Sequence, residues 1–172
     1  MPVSTSCVLL LVGQAFCHTL SMAITKGWHC AYSIHYHIVF PVKYRKSLLS
    51  VEIEVALVRI SAEIAERYQG DIVFEAIGTD SNHIHVLCSA HPKFSPGDIV
   101  RIFKSITARA LFREFPWLKK ELWGGEFWSD GYYVGTVGER NNWETVAKYV
   151  KNQGQQPAKS LRRFAQLSLP EI

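Results

Sequence analysis

The spacing of hydrophobic and polar residues changes several times along the chain, and each change marks an element. Residues 29–42 (HCAYSIHYHIVFPV) are dense in aromatic and β-branched side chains and predict a first strand. A basic loop, KYRKS, follows it. Over 51–68 the apolar positions return at helical spacing, at Ile53, Leu57, Ile60 and Ile64, while Glu and Arg fill the other face. That is the pattern of an amphipathic helix, with Gly70 as its C-cap. Residues 71–79 (DIVFEAIGT) read as a second strand and 83–89 as a third, and the polar TDSN between them predicts a hairpin. Ser95 is placed to cap a second helix running to about Phe115, with a core stripe of Ile99, Ile102, Phe103, Ile106 and Ala110. LWGGEFWSDG reads as loop, residues 132–137 (YYVGTV) as a fourth strand. Asn141 or Asn142 caps a last helix that runs through Gln153 to Gly154.

The order strand-helix-strand-strand-helix-strand, then a helix, predicts an α+β fold of the ferredoxin-like βαββαβ kind with an appended C-terminal helix. Right-handed crossovers set the first and third strands side by side in the centre of an antiparallel sheet, with both helices on one face. The other face is left open. A fold of this kind says nothing about chemistry.

Composition narrows the class. With 172 residues, 48% hydrophobic and 20% charged, the chain is long enough for one domain with a real core. A net charge of +4 leans mildly towards polyanionic partners. The four cysteines, Cys7, Cys17, Cys30 and Cys88, form no CxxC or zinc-ribbon spacing, which points to a reducing, cytoplasmic compartment. The apolar run CVLLLVGQAF lacks the preceding Lys or Arg of a secretory signal and is too short to span a bilayer. Residues 1–21 are therefore expected to be an extension before a start at Met22, the alternative being a signal-like segment, with a domain over 22–156 and a basic tail over 157–172.

Candidate chemistry begins with SNHIHVLCSA. Alternation along a strand puts His83 and His85 on one side, about 6.5–7 Å apart along the chain. Ile84, Val86 and Cys88 face the opposite way, so parity removes Cys88 as a partner. A bare HxH either fills a core or holds a metal. His35 and His37 in SIHYHIVF have the same geometry on the neighbouring strand. No cysteine offers itself for zinc, whereas two imidazoles and an oxygen donor suit Mg2+ or Mn2+ acting on phosphate. In the last helix Tyr149 and Gln153 lie four apart and share a face. A metal held by His83, His85 and the Gln153 amide oxygen would polarise a phosphate for attack by the adjacent phenol.

The stretches HCAYSIHYHIVFPVKYRK, SNHIHVLCSA, SPGDIVRIFKSITARALFREFP, FWSDGYYVGTVG and ETVAKYVKNQ follow one another in the chain. In that order and spacing the sequence resembles the single-tyrosine HUH transposases of the smallest bacterial insertion sequences (transposase A of the insertion-sequence two-hundred/six-hundred-five class), over roughly residues 29–155. The resemblance implies that Tyr149 is the nucleophile and that His83, His85 and Gln153 ligate the metal. It implies cleavage of single-stranded DNA with a 5′-phosphotyrosine and a free 3′-OH, rejoining without ATP, recognition of DNA hairpins, and a homodimer in which the tyrosine helix can complete the partner's site. Lys43, Tyr44, Arg45 and Lys46, with Arg101, Lys104 and Arg109 on the second helix, become the DNA contacts, in keeping with the positive charge. His35 and His37 receive no ligand role. Asn82 stands where many relatives carry Asp before the first histidine, so the support of that imidazole departs from the pattern. Two other readings are a domesticated, non-catalytic DNA-binding module and a replication- or conjugation-type nickase.

Overall fold

The computed structural model of the chain describes residues 24–137 and 143–151. Its elements are β1 (Thr25–Lys26), β2 (Ala31–Tyr32), β3 (His35–Pro41), α1 (Val51–Arg67), β4 (Ile72–Asp80), β5 (His83–Ala90), α2 (Pro96–Glu114), α3 (Leu118–Glu121), β6 (Tyr133–Thr136) and α4 (Trp143–Lys151). The main sheet has the order β4-β5-β3-β6 and every neighbouring pair is antiparallel. The predicted first and third long strands are thus the central pair, as the ferredoxin-like order requires.

The first strand is shorter than its composition suggests. Only His35–Pro41 joins the main sheet, while Ala31–Tyr32 turns back onto Thr25–Lys26. The partner strand explains the break. β5 ends at Ala90, one residue past the His35↔Ser89 pair, and Pro92 follows shortly after. On the β5 side little ladder is left for the residues upstream of His35, and a tight turn from Gly27 N–H to Cys30 O closes a small hairpin instead.

Helix ends follow local chemistry. Ser95 and Asp98 form a reciprocal capping box at the start of α2, with Pro96 in the first turn. At the end of α1, Gly70 N–H donates to Ala65 O and Gln69 N–H to Glu66 O, closing a Schellman motif. Gly70 was the expected cap, yet Gln69 (φ 54°) takes the first left-handed position and Gly70 (φ 80°) the second.

Both long helices pack on one face of the sheet. There Ile38, Phe40, Ile84, Val86 and Cys88 meet Leu57, Ile60, Ile99 and Phe103. The opposite face carries a second, smaller core of Ala76, Leu87, Val137, Ala147 and Val150, so α4 covers the side that the βαββαβ order left open. A β-bulge between Phe74 and Ala76 makes this possible. It inserts Glu75 and moves Ala76 off the helix face, where Phe74 lies, to the α4 face. Full burial of Leu87 and Val150 there is worth about 1.5–3 kcal/mol each. No helix among the described residues is long and apolar enough to cross a membrane.

Candidate active site

The β4–β5 hairpin presents the HxH strand. Asp80 pairs with His83 across a turn of Ser81 and Asn82. Val42 N–H donates to Asn82 O and Leu49 N–H to Ser81 O, at 2.9 and 3.0 Å, which ties the turn to the chain beyond β3. The parity read from the sequence holds. His83, His85 and Leu87 share one face, and Ile84, Val86 and Cys88 are buried under the helices.

Asn82 supports the first histidine. Its Oδ1 lies 2.8 Å from His83 Nδ1, and an amide oxygen can only accept. Nδ1 therefore carries the proton and Nε2 keeps a lone pair. The residue that departs from the family's acidic pattern still supplies the oxygen acceptor. Burial lowers the His83 pKa first, with nearby Arg45 adding to the effect and Asp80 opposing it.

His85 lies deeper, 5% exposed. Its ring is 5.0 Å from that of His83, stacks on His37 at 5.2 Å, and meets the Tyr149 ring edge-on at 5.9 Å. Its Nδ1 is 3.0 Å from His37 Nε2, while its own Nε2 is buried without a hydrogen-bond partner among the described residues. Burial, then His37, then His83 push its pKa down to about 3, so the imidazole stays neutral. Neutral imidazole is the form that binds metal. A buried, unpartnered nitrogen beside a second imidazole with a free Nε2 suits a divalent cation. Among the described residues no group of three or more His, Cys, Asp or Glu gathers as a metal cluster. Gln153, the expected oxygen donor, lies outside the described residues, as do Asn141, Asn142 and the side chain of Trp143.

The histidines of β3 divide. His37 reaches the site through His85. His35 points its Nδ1 to Glu75 Oε1 at 3.3 Å and its Nε2 to Ser33 Oγ at 3.3 Å, close to the bulge. The sequence reading gave neither a role. Parity placed His37 on the right face, and the sequence held no further signal that it would touch His85.

The expected DNA contacts lie in two places. Lys43–Arg45 forms a single 3₁₀ turn in which Tyr44 (φ 59°) and Arg45 (φ 52°) hold left-handed backbone, costly for side chains with a Cβ. Tyr44 stacks nearly parallel on Trp123 (6.1 Å, 9°), and the Trp123 side chain is 83% exposed. Read from the sequence, Trp123 is only part of a loop. Lys43 pairs with Glu126, and Lys46 with Glu121 at 3.0 Å. Arg101, Lys104 and Arg109 instead line an open cleft of about 480 Å³ between α2 and residues 125–130, on the helix side of the sheet. Arg101 bonds Asp98, and Arg109 donates to Ser105 O. The Lys104 ammonium donates to the carbonyls of Ser129, Asp130 and Gly131, at 2.6, 3.2 and 3.0 Å, and ties α2 to that loop. Of the seven, Arg45 is the one whose charge His83 feels.

Known proteins resemble this chain in sequence and fold. Residues 30–153 match the family described as "Transposase IS200 like". The chain is 34% identical over 134 residues to the ISDra2 transposase TnpA of Deinococcus radiodurans, covering 78% of this chain and 94% of that one. It is 33% identical over 150 residues to the transposase of insertion sequence element IS200 of Salmonella typhimurium, covering 87% and 90%. The crystal structure of a putative transposase from Deinococcus radiodurans superposes with a TM-score of 0.61 at 32% identity, over 76% of this chain and 98% of that one.

Proposed function

The chain belongs to the IS200-like transposase family, and on that premise we propose that it cuts and rejoins single-stranded DNA through a phosphotyrosine on Tyr149. The observation that carries this reading is the edge-on contact of Tyr149 with His85, which sets the phenol's helix on the HxH strand of the same subunit. In the first step the Tyr149 oxygen attacks the scissile phosphorus, and the bond to the 3′-oxygen breaks. The phenol's proton leaves and the 3′-oxygen gains one, giving a 5′-phosphotyrosine and a free 3′-OH. In the second step a 3′-OH attacks that phosphotyrosine and restores both the phosphodiester and the phenol. One diester replaces another at each step, so no ATP is needed.

His83, His85 and Gln153 would hold Mg2+ or Mn2+, whose charge neutralises the phosphoryl oxygens during attack. His83 and His85 take part as neutral imidazoles with Nε2 lone pairs. Asn82 fixes the His83 ring, and Leu87 with Val150 seats α4 against the strand. The substrate is a DNA hairpin at an insertion-sequence end, bound by a homodimer. Arg45, whose charge reaches His83, and the Tyr44–Trp123 stack belong to the surface that meets the DNA, with Trp123 open to an unpaired base.

The deciding experiment incubates the protein with labelled single-stranded hairpins from its own genomic flanks and Mg2+ or Mn2+. A covalent protein–DNA adduct is expected, and Tyr149→Phe should lose it. An adduct that survives Tyr149→Phe overturns the nucleophile assignment. Wild-type protein that binds the hairpin but forms no adduct is a non-catalytic DNA-binding module.

A further inference from the structure

We propose that His37 is a positioning residue that sets the tautomer of His85, so that the buried Nε2 of His85 is presented as a lone pair. The inference deepens the metal reading above and rests on it for its consequence, though not for its geometry.

Register puts the two rings together. On the β3–β5 ladder His37 pairs with Leu87 and Val39 with His85, so His37 and His85 are diagonal neighbours on one face. Their rings stack at 5.2 Å with planes 17° apart, and His37 Nε2 lies 3.0 Å from His85 Nδ1. One nitrogen must donate and the other accept. If His37 donates, His85 carries its proton on Nε2, a buried N–H with no acceptor among the described residues. If His85 donates from Nδ1, its Nε2 is a lone pair, which a cation can satisfy. The second arrangement also repeats the one beside it, where His83 Nδ1 donates to Asn82 Oδ1. Both histidines of the HxH strand would then be held through Nδ1 and face outward through Nε2. An outer hydrogen bond of this kind fixes the ring and the tautomer of a metal-binding histidine.

The other flank of His37 is also fixed. Tyr133 on β6 meets its ring edge-on at 6.5 Å. Gly135, directly opposite His37 in the ladder, leaves room for Tyr133 to fold over it. A Cβ at 135 would sit 2.9 Å from the Tyr133 hydroxyl oxygen.

The test uses the full chain with 15N-labelled histidine, free of metal, at one neutral pH. Long-range 1H–15N correlation reads the tautomer of each ring, and Mn2+ binding is measured separately by electron paramagnetic resonance. In the wild type His85 should carry its proton on Nδ1. His37→Phe keeps a ring but removes the acceptor. It should shift His85 towards Nε2–H and weaken Mn2+ binding about 10–100-fold. His37→Gln keeps an acceptor oxygen and should restore the Nδ1–H form and most of the affinity. Wild-type His85 protonated on Nε2 overturns the proposal without any substitution, even where His37→Phe fails to fold. An unchanged tautomer in folded His37→Phe overturns it as well. Wild-type protein that binds no Mn2+ sinks the metal reading alone, because the tautomer measurement needs no metal.

Discussion

Tyr149 on α4 meets His85 on β5 ring edge to ring face, with centroids 5.9 Å apart and planes at 85°. The two residues lie 64 positions apart in sequence. What joins them is the small core of Ala76, Leu87, Ala147 and Val150 beneath α4. The candidate nucleophile is thus held by packing on a face that carries no other helix among the described residues.

That packing gives the first prediction. Leu87 is fully buried and shares the histidine face. Leu87→Ala should cost about 2–5 kcal/mol and loosen α4 over the sheet. Urea unfolding should show the loss, and adduct formation should fall further than the folded fraction does. Adduct yield that only tracks the folded fraction would show that α4 docking is not needed for attack.

The four histidines should separate by substitution. His83→Ala removes a proposed metal ligand and should abolish hairpin cleavage. His35→Ala disturbs the Glu75 pair at the far end of the strand and should leave metal-dependent cleavage measurable. Gel assays of the adduct decide between them. Equal abolition by both would bring His35 into the site.

Acid should destabilise the metal-free protein. Burial lowers the pKa values of His37, His83 and His85 below the ordinary 6.5, the last to about 3. In the unfolded chain these imidazoles take up protons near 6.5, whereas in the folded chain they resist. The unfolded state therefore binds more protons below that pH, and their contribution to stability, complete above 6.5, is lost as pH falls towards 3. Urea midpoints in EDTA at pH 8, 6 and 5 should decline in that order. His85→Phe should flatten the decline, and an equal slope in that variant would count against buried neutral His85 as its source.

Trp123 offers a test of the DNA surface. Its side chain is 83% exposed, so Trp123→Ala should leave the melting temperature nearly unchanged. Stacking of an unpaired base is worth about 1–3 kcal/mol, and hairpin affinity should drop by about 5–150-fold. Fluorescence anisotropy with a hairpin carrying an unpaired base measures it. Equal binding by both proteins would remove the stack from the DNA interface.

Much of this protein was determined by local sequence. Alternation in SNHIHVLCSA separated His83, His85 and Leu87 from Ile84, Val86 and Cys88, because side chains on a strand can only alternate. Ser95 announced the start of α2, since a short oxygen side chain reaches the free N–H groups of its own first turn. Tertiary structure decided what local rules cannot reach. His29–Val42 has uniform strand composition, but its pairing stops where β5 stops, so the strand begins only at His35. The bulge at Glu75 moved Ala76 to the other face and gave α4 its seat. His35 and His37 are equivalent by spacing, yet one lies beside Glu75 and the other bonds His85, because cross-strand register sets which neighbour each ring meets.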